Sequence, residues 1–138
     1  MKIRFIEPGN LSYRRSLKNL FVYDKYIRTP SNGIITLATI LKREWDDVYC
    51  YSESISEIVW EDIYDADIVF ISIFTFSANR GYELAGKIRA NSSALIVFGG
   101  LHATLSYREA IEYGDYVTRG EGDERIGFPR RHGRAAAR

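Results

Sequence analysis

The sequence predicts an α/β fold: a doubly wound, flavodoxin-like or Rossmann-like five-stranded parallel sheet in the order 2-1-3-4-5. Two observations predict it. Short apolar runs alternate with stretches of helical period over residues 1–118, as in βαβ units. The run DADIVFISIF at residues 65–74 is apolar almost without alternation, as a central strand covered on both faces requires.

The elements follow in order. Met1 to Ile6 is short, apolar and β-branched, and Pro8-Gly9 stops it, so it reads as the first strand. Residues 9–32 carry basic and aromatic side chains with little period, and a connection of that length is either functional or hides a short helix. Ser31 or Asn32 can cap a helix in which Ile34, Leu37, Ala38 and Leu41 fall on one face. Asp47–Tyr51 is the second strand, and residues 55–64 form a short helix or crossover. The third strand lies within residues 65–74, and Ser77 or Asn79 starts a helix that buries Leu84, Ala85 and Ile88. Ala94–Phe98 is the fourth strand and ends in Gly99-Gly100. Ser106-Tyr107-Arg108-Glu109 has the spacing of a capping box, Gly114 stops that helix, and Asp115–Thr118 is the fifth strand.

Composition narrows the function classes. The 138 residues are 46% hydrophobic and 14% aromatic, which is enough for one packed domain and too apolar for a disordered chain. Residues 127–138, GFPRRHGRAAAR, hold four arginines and no acid, which leaves the remainder at a net charge of −3. That balance offers no nucleic-acid footprint. The single cysteine, Cys50, cannot form an internal disulfide and points to a reducing compartment. With no apolar run near the ~20 residues of a membrane span, the expectation is a cytoplasmic protein that engages neither membrane nor nucleic acid. The domain is expected to occupy residues 1–126, and 127–138 to be a non-native or disordered tail.

In an open parallel sheet, ligands lie beyond the carboxyl ends of the strands, where the order reverses. The candidate residues are therefore Ser72 and Thr75 after strand three, Gly99, Gly100 and His102 after strand four, and Gly120, Glu121 and Gly122 after strand five. Strand three ends in Phe74-Thr75 without the aspartate of a phosphoacceptor domain. The loop after strand one, EPGNLS, lacks the hydroxyl-rich character of a flavodoxin phosphate loop, and no G-x-G-x-x-G fingerprint opens the first helix.

The combination of GG-x-H-A-T at 99–104, YVTRGEGDE at 116–124 and PSNGIITLA at 30–38 resembles the cobalamin-binding domain found at the front of cobalamin-dependent radical S-adenosylmethionine enzymes. The resemblance extends over residues 1–124. It implies that the corrin lies over the carboxyl edge of the sheet and that its nucleotide tail enters a crevice beside strands three and four. Gly99 and Gly100 would allow close approach, and Ser72 or Thr75 would hydrogen-bond the tail. Gly120 and Gly122 would turn backbone N–H groups toward its ribose or phosphate.

This sequence departs from cobalamin domains that carry D-x-H-x-x-G after the first strand, because residues 1–101 hold no histidine. The resemblance therefore implies base-off cobalamin without a histidine ligand, and His102 is not expected to be an axial ligand. One cysteine cannot hold an iron–sulfur cluster. The cluster and S-adenosylmethionine belong to a downstream radical S-adenosylmethionine domain, and no catalytic activity is expected from this chain alone. The parent protein is expected to be a methyltransferase or related enzyme.

Bland alternatives stand beside each reading. Gly99-Gly100 can serve a tight turn alone, with His102 bonded to nearby backbone, and Gly120-Glu121-Gly122 can be an exposed turn. Ser72 and Thr75 can be small residues at a strand end. A degenerate α/β domain that binds no cobalamin and acts as a docking surface is the alternative for the whole chain. A crevice filled by Phe74 or Phe76 would favour it.

Overall fold

The computed structural model describes residues 1–9 and 30–120. Five parallel strands stand in the order β2-β1-β3-β4-β5: β1 Ile3–Glu7, β2 Val48–Ser52, β3 Ile68–Ser72, β4 Leu95–Gly99 and β5 Tyr116–Val117. The helices are α1 Asn32–Leu41, α2 Trp60–Tyr64, α3 Ala78–Asn91, α4 Leu101–Leu105 and α5 Tyr107–Ala110. The predicted order holds. The reversal at β1 and β3 places the topological switch point at the centre of the sheet.

Every strand residue of β1 is buried, because β1 pairs with β2 on one side and β3 on the other. The pleat then sends alternate side chains into two cores. Ile3 and Phe5 pack with Ile34, Ala38 and Leu41 of α1. Ile6, Val69, Ile71, Ile73, Ile96 and Phe98 pack with Leu84, Ala85 and Ile88 of α3 on the opposite face. The helical stripes predicted for α1 and α3 are thus the ones that bury, although Leu37 is only partly covered. Gly81 brings α3 close to the sheet, since a Cβ there would stand 2.4 Å from Ile73 Cγ2.

Two caps differ from expectation. Ser31 occupies the N-cap position of α1, but its side chain makes no cap bond. Its own backbone N–H instead donates to the Glu7 carboxylate at 2.9 Å. The capping box of residues 106–109 is also not formed, for Ser106 makes no side-chain cap bond. Glu109 is drawn away by Tyr82 Oη, which donates to it at 2.8 Å.

Arg4 is buried at the end of the sheet opposite the carboxyl edge. Its guanidinium donates to Asp62 Oδ1 at 2.8 Å and to the Asp47 carbonyl at 3.0 Å. Tyr51 Oη donates to the same Asp62 at 2.8 Å, so α2 is fastened to the sheet by ionic and hydroxyl bonds. Among the described residues, no helix is long and apolar enough to cross a membrane.

Candidate functional site

Strand β1 ends at Glu7, which is buried and accepts from Ser31 N–H and from Ser52 Oγ at 3.0 Å. The next turn is held by Glu53, which accepts Gly9 N–H at 3.0 Å and pairs with Arg80 of α3 at 2.7 Å. These bonds secure the switch point and place the first turn of α1 above the sheet.

A cleft of about 400 Å³ opens there, on the α1 face. Its apolar floor and wall come from Phe5, Phe70, Ile34 and Leu37. Phe5 and Phe70 are register partners on β1 and β3, and their rings stack with centroids 4.7 Å apart. The far side is built from Gly99, Gly100, Leu101 and Thr104, with Thr118 and Gly120 beyond.

The glycines around this cleft are of two kinds. Gly100 has φ +93°, and a Cβ there would stand 2.7 Å from the Ile73 carbonyl oxygen. The turn itself requires that glycine. Gly33, in the first turn of α1, lines the cleft and has nothing within 4 Å of an added Cβ. Space alone accounts for its neighbourhood. Gly99 is intermediate: an added Cβ would meet only Thr118 Oγ1, at 2.8 Å.

The polar side chains of the lining divide similarly. Thr104 Oγ1 donates to the Gly100 carbonyl and accepts the Gly120 N–H, at 3.0 and 3.1 Å. Thr118 Oγ1 donates to the Phe98 carbonyl at 3.3 Å. Ser72 also lines the cleft, and its hydroxyl has no protein partner among the described residues. A single uncommitted hydroxyl in an apolar cleft is suited to fixing the orientation of a flat ligand.

Of the predicted residues, Ser72, Gly99, Gly100 and Gly120 meet at this cleft. The Gly120 N–H is spent on Thr104, so it is not free for an anion nest with Gly122. Glu121 and Gly122 lie outside the described residues. Thr75 is exposed on the turn after β3, and His102 faces away from the cleft toward Thr75 and Glu109. Phe74 and Phe76 stack on each other at 5.6 Å, outside the cleft lining.

In the sequence, Gly33 stands out only as part of the lead into α1. The available signal was a glycine inside a helix, where it costs about 1 kcal/mol relative to alanine. Phe5 and Phe70 fall within the predicted strands, and only strand register brings them together.

Cys50, on the α1 face of β2, is half-buried, and its thiol points to the Ile34 carbonyl at 3.9 Å. Burial pushes that thiol up to about 11, which makes it a poor nucleophile.

Comparison with known proteins bears on the family of the chain. Residues 27–127 match the model of the B12 binding domain. Over 59 residues the chain is 37% identical to a bacteriochlorophyllide d C-8(2)-methyltransferase of Chlorobaculum tepidum, a stretch covering 43% of this chain and 13% of that protein. No solved structure matches the chain. The match over residues 27–127 spans more than half of the sequence, and the chain belongs to the B12-binding domain family.

Proposed function

We propose that this chain is a cobalamin-binding module, with the nucleotide arm of the cofactor held in the cleft between α1 and β3–β4. The observation that carries the reading is the cleft's composition: Gly33 leaves room, Phe5 and Phe70 offer apolar ring surface, and Ser72 offers a hydroxyl with no partner among the described residues. A benzimidazole is flat and apolar with a polar nitrogen at its edge, so these residues fit it. Binding in this way is base-off. Among the described residues, no histidine lines the cleft.

Cobalamin, when bound, supplies a reactive carbon–cobalt bond for group transfer. The chain's own residues bind and orient it. The single cysteine provides too few thiolates for an iron–sulfur cluster. We assign the cluster and S-adenosylmethionine to a radical S-adenosylmethionine domain that this module serves, in a parent protein of methyltransferase type. The similarity to a methyltransferase supports that assignment. A crevice filled by Phe74 or Phe76 would favour the rival reading, a degenerate docking domain; both lie outside the cleft lining.

The test is a titration of the full chain with hydroxocobalamin, followed by its visible spectrum after desalting. A retained base-off chromophore that disappears in Gly33→Trp, with thermal unfolding unchanged, supports the reading. Absence of binding at ~1 mM ligand, where even about −4 kcal/mol would register before desalting, overturns it in favour of the docking domain.

A further inference from the structure

The Thr75–His102–Glu109–Tyr82 cluster lies outside the cleft, and its bonding order has a chemical consequence. His102 Nε2 stands 3.4 Å from Glu109 Oε1, and His102 Nδ1 stands 3.3 Å from Thr75 Oγ1. Tyr82 Oη donates to the same Glu109 oxygen at 2.8 Å. The Tyr82 hydroxyl, and next His102, hold the Glu109 carboxyl below its ordinary range. Glu109 is therefore ionised at neutral pH and can only accept.

An acceptor-only partner at Nε2 requires the imidazole proton to be on Nε2. In the neutral ring, Nδ1 then carries a lone pair, and the Thr75 hydroxyl must donate to it. That leaves the outer lone pair of Thr75 Oγ1 directed at solvent as an acceptor. The ring is well placed to enforce this. Its side chain is 12% exposed, and the His102 backbone N–H is tied to the Ile73 carbonyl at 3.1 Å. Glu109 on α5, Tyr82 on α3 and Thr75 on the turn after β3 are the groups that face it.

Thr75 follows β3 by three residues and stands beyond the carboxyl edge of the sheet. A corrin would be too large for a cleft of about 400 Å³, so most of it would extend over the carboxyl edge, presenting the primary carboxamides of its periphery. We infer that His102 is a positioning residue that sets the Thr75 hydroxyl as a hydrogen-bond acceptor for a carboxamide N–H of the corrin. The inference rests on the cobalamin reading and adds to it the polarity of one contact.

The test has two arms on the full chain at pH ~8, above the ordinary imidazole range. Long-range 1H–15N spectra report the tautomer of each histidine. The chain has two, His102 and His132, so a His132→Gln variant assigns the signals. The Nε2–H form at His102 is expected, and a dominant Nδ1–H form overturns the inference. In the second arm, Thr75→Val should bind hydroxocobalamin about three- to tenfold more weakly, and Thr75→Ser should restore affinity. Equal affinity of wild type and Thr75→Val, with binding intact, overturns this inference alone. Failure of the wild type to bind overturns it together with the cobalamin reading.

Discussion

Glu7 and Ser31 are 24 positions apart in the chain, yet the Glu7 carboxylate accepts the Ser31 backbone N–H with both oxygens, at 2.9 and 3.2 Å. The end of β1 thereby anchors the start of the helix that forms one wall of the cleft. Ser52 Oγ bonds the same carboxylate at 3.0 Å. Glu7→Ala would leave the Ser31 donor and the Ser52 hydroxyl without their shared partner. The expected loss is about 1–3 kcal/mol in urea unfolding, and Glu7→Gln should lose less because its amide oxygen can still accept.

The two kinds of glycine should respond oppositely. Gly100→Ala places a Cβ against the Ile73 carbonyl at a positive φ, so it should destabilise the fold by about 2 kcal/mol or more. Gly33→Ala meets nothing and replaces a poor helix former, so it should be neutral or stabilising by up to ~1 kcal/mol. Thermal and urea unfolding of the two variants side by side would check this. A similar loss in both would show that the cleft wall at Gly33 is packed.

Asp62 should govern acid stability. Its hydrogen bonds from Arg4, and next those from Lys2 and Tyr51, hold its carboxyl well below the ordinary range against the opposing effect of burial. The folded value is depressed relative to the unfolded one. The stabilisation is therefore complete above the unfolded value, near pH ~4, and is lost as pH falls toward the folded value. Asp62→Asn should be less stable at pH 7 and should flatten the decline in stability below pH ~4. An unchanged acid-unfolding curve would move that role to another carboxylate.

Cys50 should be slow to alkylate in the folded chain. With its thiol pushed up to about 11, a negligible thiolate fraction exists at pH 8. Iodoacetamide labelling should accelerate at least about tenfold in denaturing urea, where the thiol returns toward its ordinary value. Equal rates with and without urea would mean that β2 already exposes the thiol.

Much of this fold was legible because its signals are local. The unbroken apolar run around Ile68–Ser72 marks a central strand, and the periods of α1 and α3 each identify a buried stripe. What stayed hidden depends on partners distant in sequence. Glu7 as a cap for Ser31 has no local pattern, and the motif at Ser106–Glu109 fails because Tyr82 and His102 compete for the same carboxylate. At the site, strand ends predicted Ser72, Gly99, Gly100 and Gly120, while the Phe5–Phe70 pair required the register of β1 on β3. His102 was predicted with the glycines by adjacency, but the first turn of α4 carries its ring to the other side.

The division between Gly100 and Gly33 also sets how such a domain can change. One bank of the cleft is built from the turn that closes the sheet, where Gly100 takes no side chain without strain. The opposite bank is the first turn of a helix whose remaining contacts lie deeper, at Ala38 and Leu41. A change along α1 therefore reshapes one wall of the cleft while leaving the strand ends as they are, so the width of the cleft and the closure of the sheet are set by separate residues.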